Sequence, residues 1–243
     1  MLVIPAIDLK EGKCVRLLQG KKDTVTTYSN DPAATAKHWE SYGAKLLHII
    51  DLDGAFTGDL KNLNAIIKIR KSVKISIQVG GGIRKIGNAI NLFSAGIDRI
   101  IIGTAAIEDP EFLTDLCRKY PGKVLIGIDA KEGKVAIKGW EEITSLTAKE
   151  LARRLEIVGA AGIIYTDISR DGMLYGPNIE AVKEIVESVK VPVIASGGVS
   201  CIDDIKNLMT IKNLWGVIIG KAIYSGALDL REAIKISKLS LQN

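Results

Sequence analysis

Histidine is almost missing from this sequence: His38 and His48 are the only two among 243 residues. A Ser-His-Asp relay and many zinc sites draw on histidine, so carboxylates are left as the natural proton carriers. Cysteine is nearly as scarce. Cys14, Cys117 and Cys201 stand far apart with no CxxC spacing, which argues against a disulfide framework or a zinc site and fits a reducing compartment. No apolar run reaches the ~18 residues that a membrane span needs. Met1 leads straight into a strand-like segment, with no basic start and no small-residue cleavage site. A cytoplasmic protein is therefore expected, rather than a secreted or imported one. Long basic runs with interleaved aromatics are missing too, which makes nucleic acid a poor partner. The net charge of +5 fits a mildly basic surface, and it would also draw in an anionic substrate.

What is present is a regular alternation. Short runs rich in Val, Ile and Leu occupy residues 2–8, 46–51, 75–79, 99–102, 124–129, 162–166, 191–195 and 216–219. Near-continuous apolar runs of that length are expected of strands buried on both faces of a parallel sheet. Between them lie amphipathic stretches at 31–43, 62–71, 86–95, 109–120, 147–158, 178–188 and 201–209, with a last one at 228–239. Two of these open on Asp-Pro, Asp31-Pro32 and Asp109-Pro110, which places an N-cap before a proline at the first helical position.

Eight such βα units favour a barrel or a doubly wound open sheet. Internal repetition favours the barrel. Ile7-Asp8-Leu9-Lys10-Glu11-Gly12-Lys13 returns as Ile128-Asp129-Ala130-Lys131-Glu132-Gly133-Lys134, at an offset of 121 residues. Val79-Gly80-Gly81-Gly82-Ile83 returns as Ala195-Ser196-Gly197-Gly198-Val199 at 116, and Ile102-Gly103-Thr104-Ala105 as Ile219-Gly220-Lys221-Ala222 at 117. A four-unit half used twice closes into an eight-stranded ring. With no linker between the halves, the expectation is one (β/α)8 TIM-barrel domain over residues 1–243 with a two-fold internal repeat of half-barrels, a size that matches the roughly 250 residues of the fold.

In such a barrel, ligands bind at the C-terminal ends of the strands. Asp8 and Asp129 end the first and fifth strand candidates, on opposite sides of the ring. Opposed carboxylates suit general acid–base work on a substrate lying between them. Each could also simply cap its loop, but equivalent placement in both halves favours catalysis. Gly80-Gly81-Gly82-Ile83-Arg84 and Gly103-Thr104 follow the third and fourth strands. Ser196-Gly197-Gly198 and Gly220-Lys221 follow the seventh and eighth. Glycines let the backbone approach a ligand, and helix N-termini present free N–H groups to phosphate. The last two loops are the usual barrel phosphate site, and their copy predicts a second phosphate across the mouth. The ligand expected is thus a small bisphosphate. His48 lies inside a strand, where it is either structural or a ligand contact. Trp140 is in the long loop after the fifth strand, as a cover for the barrel or as a lid stacking on a planar base. Thr166, Asp167 and Asp171 cluster after the sixth, where Asp171-Gly172 is either a turn or a third proton donor.

Together these residues resemble a known family, the ProFAR isomerases of histidine biosynthesis. The resemblance covers essentially the whole chain. It is carried by Ile4-Pro5-Ala6-Ile7-Asp8-Leu9, Val15-Arg16-Leu17 with Gln19-Gly20, His48 with Asp51-Leu52-Asp53, and the run Gly80 to Arg84. Lys138-Gly139-Trp140, Thr166-Asp167 with Asp171-Gly172, and the run Ala195 to Ser200 complete it. The resemblance implies an Amadori rearrangement of the aminoaldose ProFAR to the aminoketose PRFAR, with no metal and no organic cofactor. It implies Asp8 as general base for the C2′ proton and Asp129 as general acid on the ring oxygen. In some relatives the acid is the aspartate matching Asp171. It further implies Thr166 as a positioning group, and Arg16, Gln19 and Arg84 as candidates for phosphate or the carboxamide. A monomer is expected.

Three alternatives stand beside this reading. The lyase subunit that consumes PRFAR carries Cys before Leu-Asp where this chain has Pro5-Ala6-Ile7-Asp8, and lacks the Lys-Gly-Trp segment in this form. Bifunctional relatives that also isomerise phosphoribosylanthranilate carry Ser where this chain has Gly80 and an extra Arg before the tryptophan; neither is present, so a single activity is expected. A barrel that only binds a phosphorylated metabolite gives no reason for Asp8 and Asp129 to occupy equivalent strand ends.

Overall fold

The computed structural model describes residues 1–17 and 24–239. Strand β1 (Leu2–Lys10) turns back through β2 (Lys13–Leu17) and β3 (Val25–Ser29), and helix α1 (Pro32–Ser41) then leads to β4 (Leu46–Asp51). Helices α2 (Leu52–Thr57) and α3 (Leu63–Ser72) precede β5 (Ser76–Gly80), and α4 (Ile86–Ser94) precedes β6 (Arg99–Ile102). Helices α5 (Ala105–Glu108) and α6 (Pro110–Lys119) lead to β7 (Val124–Lys131), which turns back through β8 (Lys134–Ile137) and β9 (Glu142–Thr147). The chain continues as α7 (Ala148–Ile157), β10 (Gly162–Asp167), α8 (Ile179–Ser188), β11 (Val193–Ser196), α9 (Ile202–Met209), β12 (Leu214–Ile219), α10 (Lys221–Tyr224) and α11 (Leu230–Leu239).

Eight of these strands, in the order β1-β4-β5-β6-β7-β10-β11-β12, form a closed parallel ring, because β12 pairs with β1 and β7 with β10. This is the (β/α)8 barrel expected from the alternation. The helices start where local chemistry starts them. Asp31 accepts from the amides of Ala33 and Ala34, both at 3.0 Å, and Asp109 from that of Phe112 at 2.9 Å. Each cap satisfies amides that a helix's first turn otherwise leaves bare. Two apolar clusters result. The larger lies between ring and helices. The smaller fills the ring itself, with Ile4, Ala6, Leu46, Leu125, Ile164 and Ile218 among its members.

The long loop expected around Trp140 is instead an antiparallel ribbon, β8 and β9, with residues 138–141 as its turn. Its alternation is too short and too polar to read as a strand pair, since β9 is exposed or half-buried throughout. The ribbon β2–β3 on β1 is its counterpart. Each half-barrel therefore sends out the same excursion, immediately after the strand that carries its aspartate. Strand ends elsewhere move by one or two residues. The candidate at 191–195 becomes β11, Val193–Ser196, and that at 75–79 becomes β5, Ser76–Gly80.

Candidate active site

A cavity opens at the C-terminal ends of the ring strands. Its walls include Asp8, Arg16, His48, Gly81, Gly82, Arg84, Gly103, Thr104, Asp129, Trp140, Thr166, Asp171, Ser196, Gly197, Gly198, Gly220 and Lys221. Of the residues singled out in the sequence, Gln19 and Gly20 lie outside the described residues.

The two glycine loops are held from below by a duplicated anchor. Asp51, fully buried at the end of β4, accepts from the amides of Gly54, Lys61 and Asn62 and from the Asn62 side chain, at 2.7–2.8 Å. At the end of β10, Asp167 accepts from the Ser169 amide at 3.0 Å and the Asn178 side chain at 2.8 Å. Asp51 with Asn62, and Asp167 with Asn178, recur at the offset of 116 residues already seen for the glycine loops. Each anchor's main chain meets a glycine of the neighbouring loop. Gly81, at φ 97°, has no room for a Cβ, which would overlap the Asp51 carbonyl oxygen. Gly197, at φ 93°, stands likewise against the Asp167 carbonyl oxygen, which a Cβ would approach to 2.8 Å. Glycine is required at both by conformation and by space.

Asp8 and Asp129 lie on β1 and β7, four places apart either way round a ring of eight and hence diametrically opposed. Asp8 is paired with Arg16 from β2, Nη1 to Oδ2 at 2.7 Å, with each side chain 15% exposed. The same guanidinium donates to the Ala6 carbonyl at 3.1 Å and rests against Gly220, where a Cβ would collide with it. Burial raises the Asp8 pKa, and the charge and hydrogen bond of Arg16 oppose it. Protonating Asp8 would strand the desolvated Arg16 charge without its partner, so the pair holds Asp8 as a carboxylate. Asp129 is raised by burial, against hydrogen bonds from Trp140 and Thr166. Asp171, in the segment after β10, is pushed up to about 6 by burial, with Arg16 and Lys221 opposing and the charges of Asp8 and Asp129 adding to it. Three carboxyls thus share one cavity in unlike surroundings, a condition under which one keeps a proton while another gives its own up.

The remaining residues divide between open and engaged. Trp140, at φ 75°, is turned down into the cavity, with Nε1 donating to Asp129 Oδ2 at 2.7 Å. Its neighbour Lys138 pairs outward with Glu142 at 2.7 Å, while the Lys138 amide donates to the Thr104 hydroxyl at 3.1 Å. Lys221 Nζ donates to the Gly172 carbonyl at 2.7 Å, tying the loop of Asp171 to the end of the ring. Arg84 is exposed and donates to the Ala55 carbonyl at 3.2 Å, so it braces α2. His48 is 7% exposed, with its pKa lowered to about 3 by burial and by the charges of Arg16 and Arg99. Phe56 and Leu174 also line the cavity and were not foreseen. Phe56 sits on α2, and the signal that could have found it is the Asp51 N-cap, which accepts from Gly54.

Because Trp140 binds a carboxylate directly, its emission is expected to change when a ligand fills the cavity. A variant with Trp39→Phe and Trp215→Phe keeps Trp140 as the one tryptophan. An unaltered spectrum at saturating ligand would show that the indole does not meet the ligand.

A family model described as "Histidine biosynthesis protein" matches residues 2–229. The chain belongs to the histidine biosynthesis protein family. Curated relatives match it along nearly their full length. A protein of Thermodesulfovibrio yellowstonii is 58% identical over 238 residues, 98% of each chain. One of Geotalea daltonii is 56% identical over 240 residues, again 98% of each. One of a Geobacter species is 55% identical over 240 residues, covering 98% of this chain and 99% of its own. All three are named 1-(5-phosphoribosyl)-5-((5-phosphoribosylamino)methylideneamino) imidazole-4-carboxamide isomerase. The histidine biosynthesis match takes in every strand of the ring and both ribbons. Among the described residues, no helix is long and apolar enough to cross a membrane.

Proposed function

We propose that this chain is an intramolecular aldose–ketose isomerase that converts ProFAR to PRFAR by an Amadori rearrangement in histidine biosynthesis. The observation that carries the reading is the pairing of opposed carboxylates with two equivalent glycine loops in one cavity. The substrate named for the relatives carries two phosphoribosyl groups. One phosphate fits the backbone at Gly82 and Gly103–Thr104, the other that at Gly198 and Gly220–Lys221. Backbone N–H groups of such loops bind phosphate without a metal. The substrate then spans the mouth with its reacting ribose between Asp8 and Asp129.

Asp129 gives a proton to the ribose ring oxygen as the C1′–O bond breaks, leaving a protonated imine at C1′. Asp8 removes the proton from C2′, and the electron pair moves into a C1′–C2′ double bond, giving an enaminol. Its tautomerisation to the ketone places a hydrogen on C1′, so the product is an isomer and no redox partner takes part. Asp8 suits the base because Arg16 keeps it ionised until a substrate arrives. Asp171 is the second reading for the acid, favoured by its pKa of about 6 and by the indole that occupies Asp129. The reading entails a small-molecule substrate and work done in the cytoplasm by one chain.

The test is incubation of the pure protein with ProFAR alone, followed by the absorbance change on forming PRFAR. Conversion is expected without ammonia and without a second protein. No conversion at a protein concentration that binds ProFAR would leave only a binding barrel.

A further inference from the structure

Gln78 and Arg99 stand inside a ring whose filling is otherwise largely Ile, Leu and Ala. Gln78 has no exposed surface at all, and a buried amide is costly unless both its ends are bonded. Both are. Arg99 Nη2 donates to Gln78 Oε1 at 2.9 Å, and Gln78 Nε2 lies 3.0 Å from His48 Nδ1. The three residues pair side by side on β4, β5 and β6, His48 with Gln78 and Gln78 with Arg99. Beyond them, Arg99 packs over the ring of Trp215 at 5.0 Å, and Trp215 lies at the N-terminal end of the barrel, 36% exposed. A polar chain therefore runs through the barrel from its floor to the cavity wall.

The chain has one polarity. A guanidinium has donors only, so the amide atom facing Arg99 is the oxygen. The amide nitrogen then faces His48, and since it only donates, Nδ1 must accept and carries no proton. A neutral ring with a bare Nδ1 holds its proton on Nε2. We propose that Arg99 and Gln78 are positioning residues that lock His48 in the neutral, Nε2-protonated form and so present a hydrogen-bond donor to an acceptor oxygen of the substrate. The partner in the cavity would be a phosphate oxygen, an acceptor that the bare Nε2 of the other tautomer would repel. The charged groups facing His48 are Arg16 and Arg99. Asp8, two residues along β1 from the pairing partner Ala6, is occupied by Arg16. Burial among positive neighbours removes the imidazolium as an alternative at neutral pH.

The role in turnover rests on the proposed isomerase activity; the tautomer does not, and is read on the free protein. With two histidines in the chain, 15N-histidine labelling yields two rings, and His38→Gln identifies that of His48. Long-range proton–nitrogen correlation at about pH 7 is expected to show His48 protonated at Nε2 alone. Gln78→Glu replaces the donor by an acceptor and is expected to bring a proton to Nδ1. Arg99→Met frees the amide to turn and is expected to give a mixture of tautomers. Isomerase kcat/KM should fall by about tenfold or more in Gln78→Glu, the loss of a hydrogen bond to a charged group. Should Gln78→Glu fail to fold, Arg99→Met carries the test. A wild-type ring protonated at Nδ1, or an Nε2-only ring in every folded variant, overturns the lock. A protein with the expected tautomers that fails to turn over ProFAR counts against the proposed function alone.

Discussion

Asp8→Asn is expected to lower kcat for ProFAR isomerisation by at least about 10²-fold, the usual worth of a general acid or base, with a much smaller change in affinity. The amide keeps the shape of the carboxylate and loses the ability to take a proton. The glycine loops, which are expected to supply most of the binding, remain intact. The structure adds a complication that sharpens the test. Asp8 also neutralises Arg16 at 2.7 Å, so Asn at this position frees a guanidinium in the cavity. A freed cation should hold a bisphosphate more tightly, so a fall in kcat with an unchanged or lowered KM is the expected split. The acid is settled by comparing Asp129→Asn with Asp171→Asn. If Asp129 protonates the ring oxygen, its variant loses about 10²-fold or more and Asp171→Asn loses less. If Asp171 does so, the order reverses. Wild-type kcat/KM should then fall as the pH rises through about 6, where Asp171 gives up its proton, and Asp171→Asn should lack that limb. Near-normal turnover by Asp8→Asn would mean that the repeated aspartates only cap their loops.

Gly81→Ala is expected to have the largest effect on stability among single methyl additions in the cavity. Two costs combine. A non-glycine residue at φ 97° pays roughly 1–2 kcal/mol for the left-handed backbone. The new Cβ also overlaps the carbonyl oxygen of Asp51, and Asp51 is pinned by four hydrogen bonds. Forced overpacking adds about 1–3 kcal/mol. A total of roughly 2–5 kcal/mol should lower Tm by about 4–20 °C in a chain of this size. Two further variants separate the costs. Gly12→Ala, at φ 73° with nothing within 4 Å, pays for the backbone alone. Gly197→Ala, at φ 93° with its Cβ 2.8 Å from the Asp167 carbonyl oxygen, should fall between them. Equal melting temperatures for Gly81→Ala and Gly12→Ala would remove the Asp51 anchor from the account of this loop.

Much of this molecule could be read in the amino-acid order because the relevant physics is local. Val, Ile and Leu runs mark strands buried on both faces, Asp-Pro pairs cap helices, and glycines mark turns that other residues enter at a cost. The halves' repetition turned a count of eight strands into a ring, and the ends of those strands into a list of cavity residues. The ribbons after β1 and β7 escaped, because a few half-exposed, mixed residues carry no clear period. Three pairings lay beyond reach of any spacing argument. Arg16 on Asp8, Trp140 on Asp129 and Arg99 through Gln78 on His48 join residues whose contacts depend on how the ribbons fold over the mouth and how the strands register across the ring. A strand with apolar residues on both faces does not announce which face turns inward, so Gln78 and Arg99 read as ordinary polar interruptions. Closure of the ring makes them neighbours in a medium without water, where an amide must be bonded at both ends and a carboxylate must find its cation. The barrel, its two-fold plan and the two aspartates at its mouth follow from the order of residues alone. The tertiary structure alone decided which groups hold those aspartates and in what protonation state, because burial and charge are properties of the assembled ring.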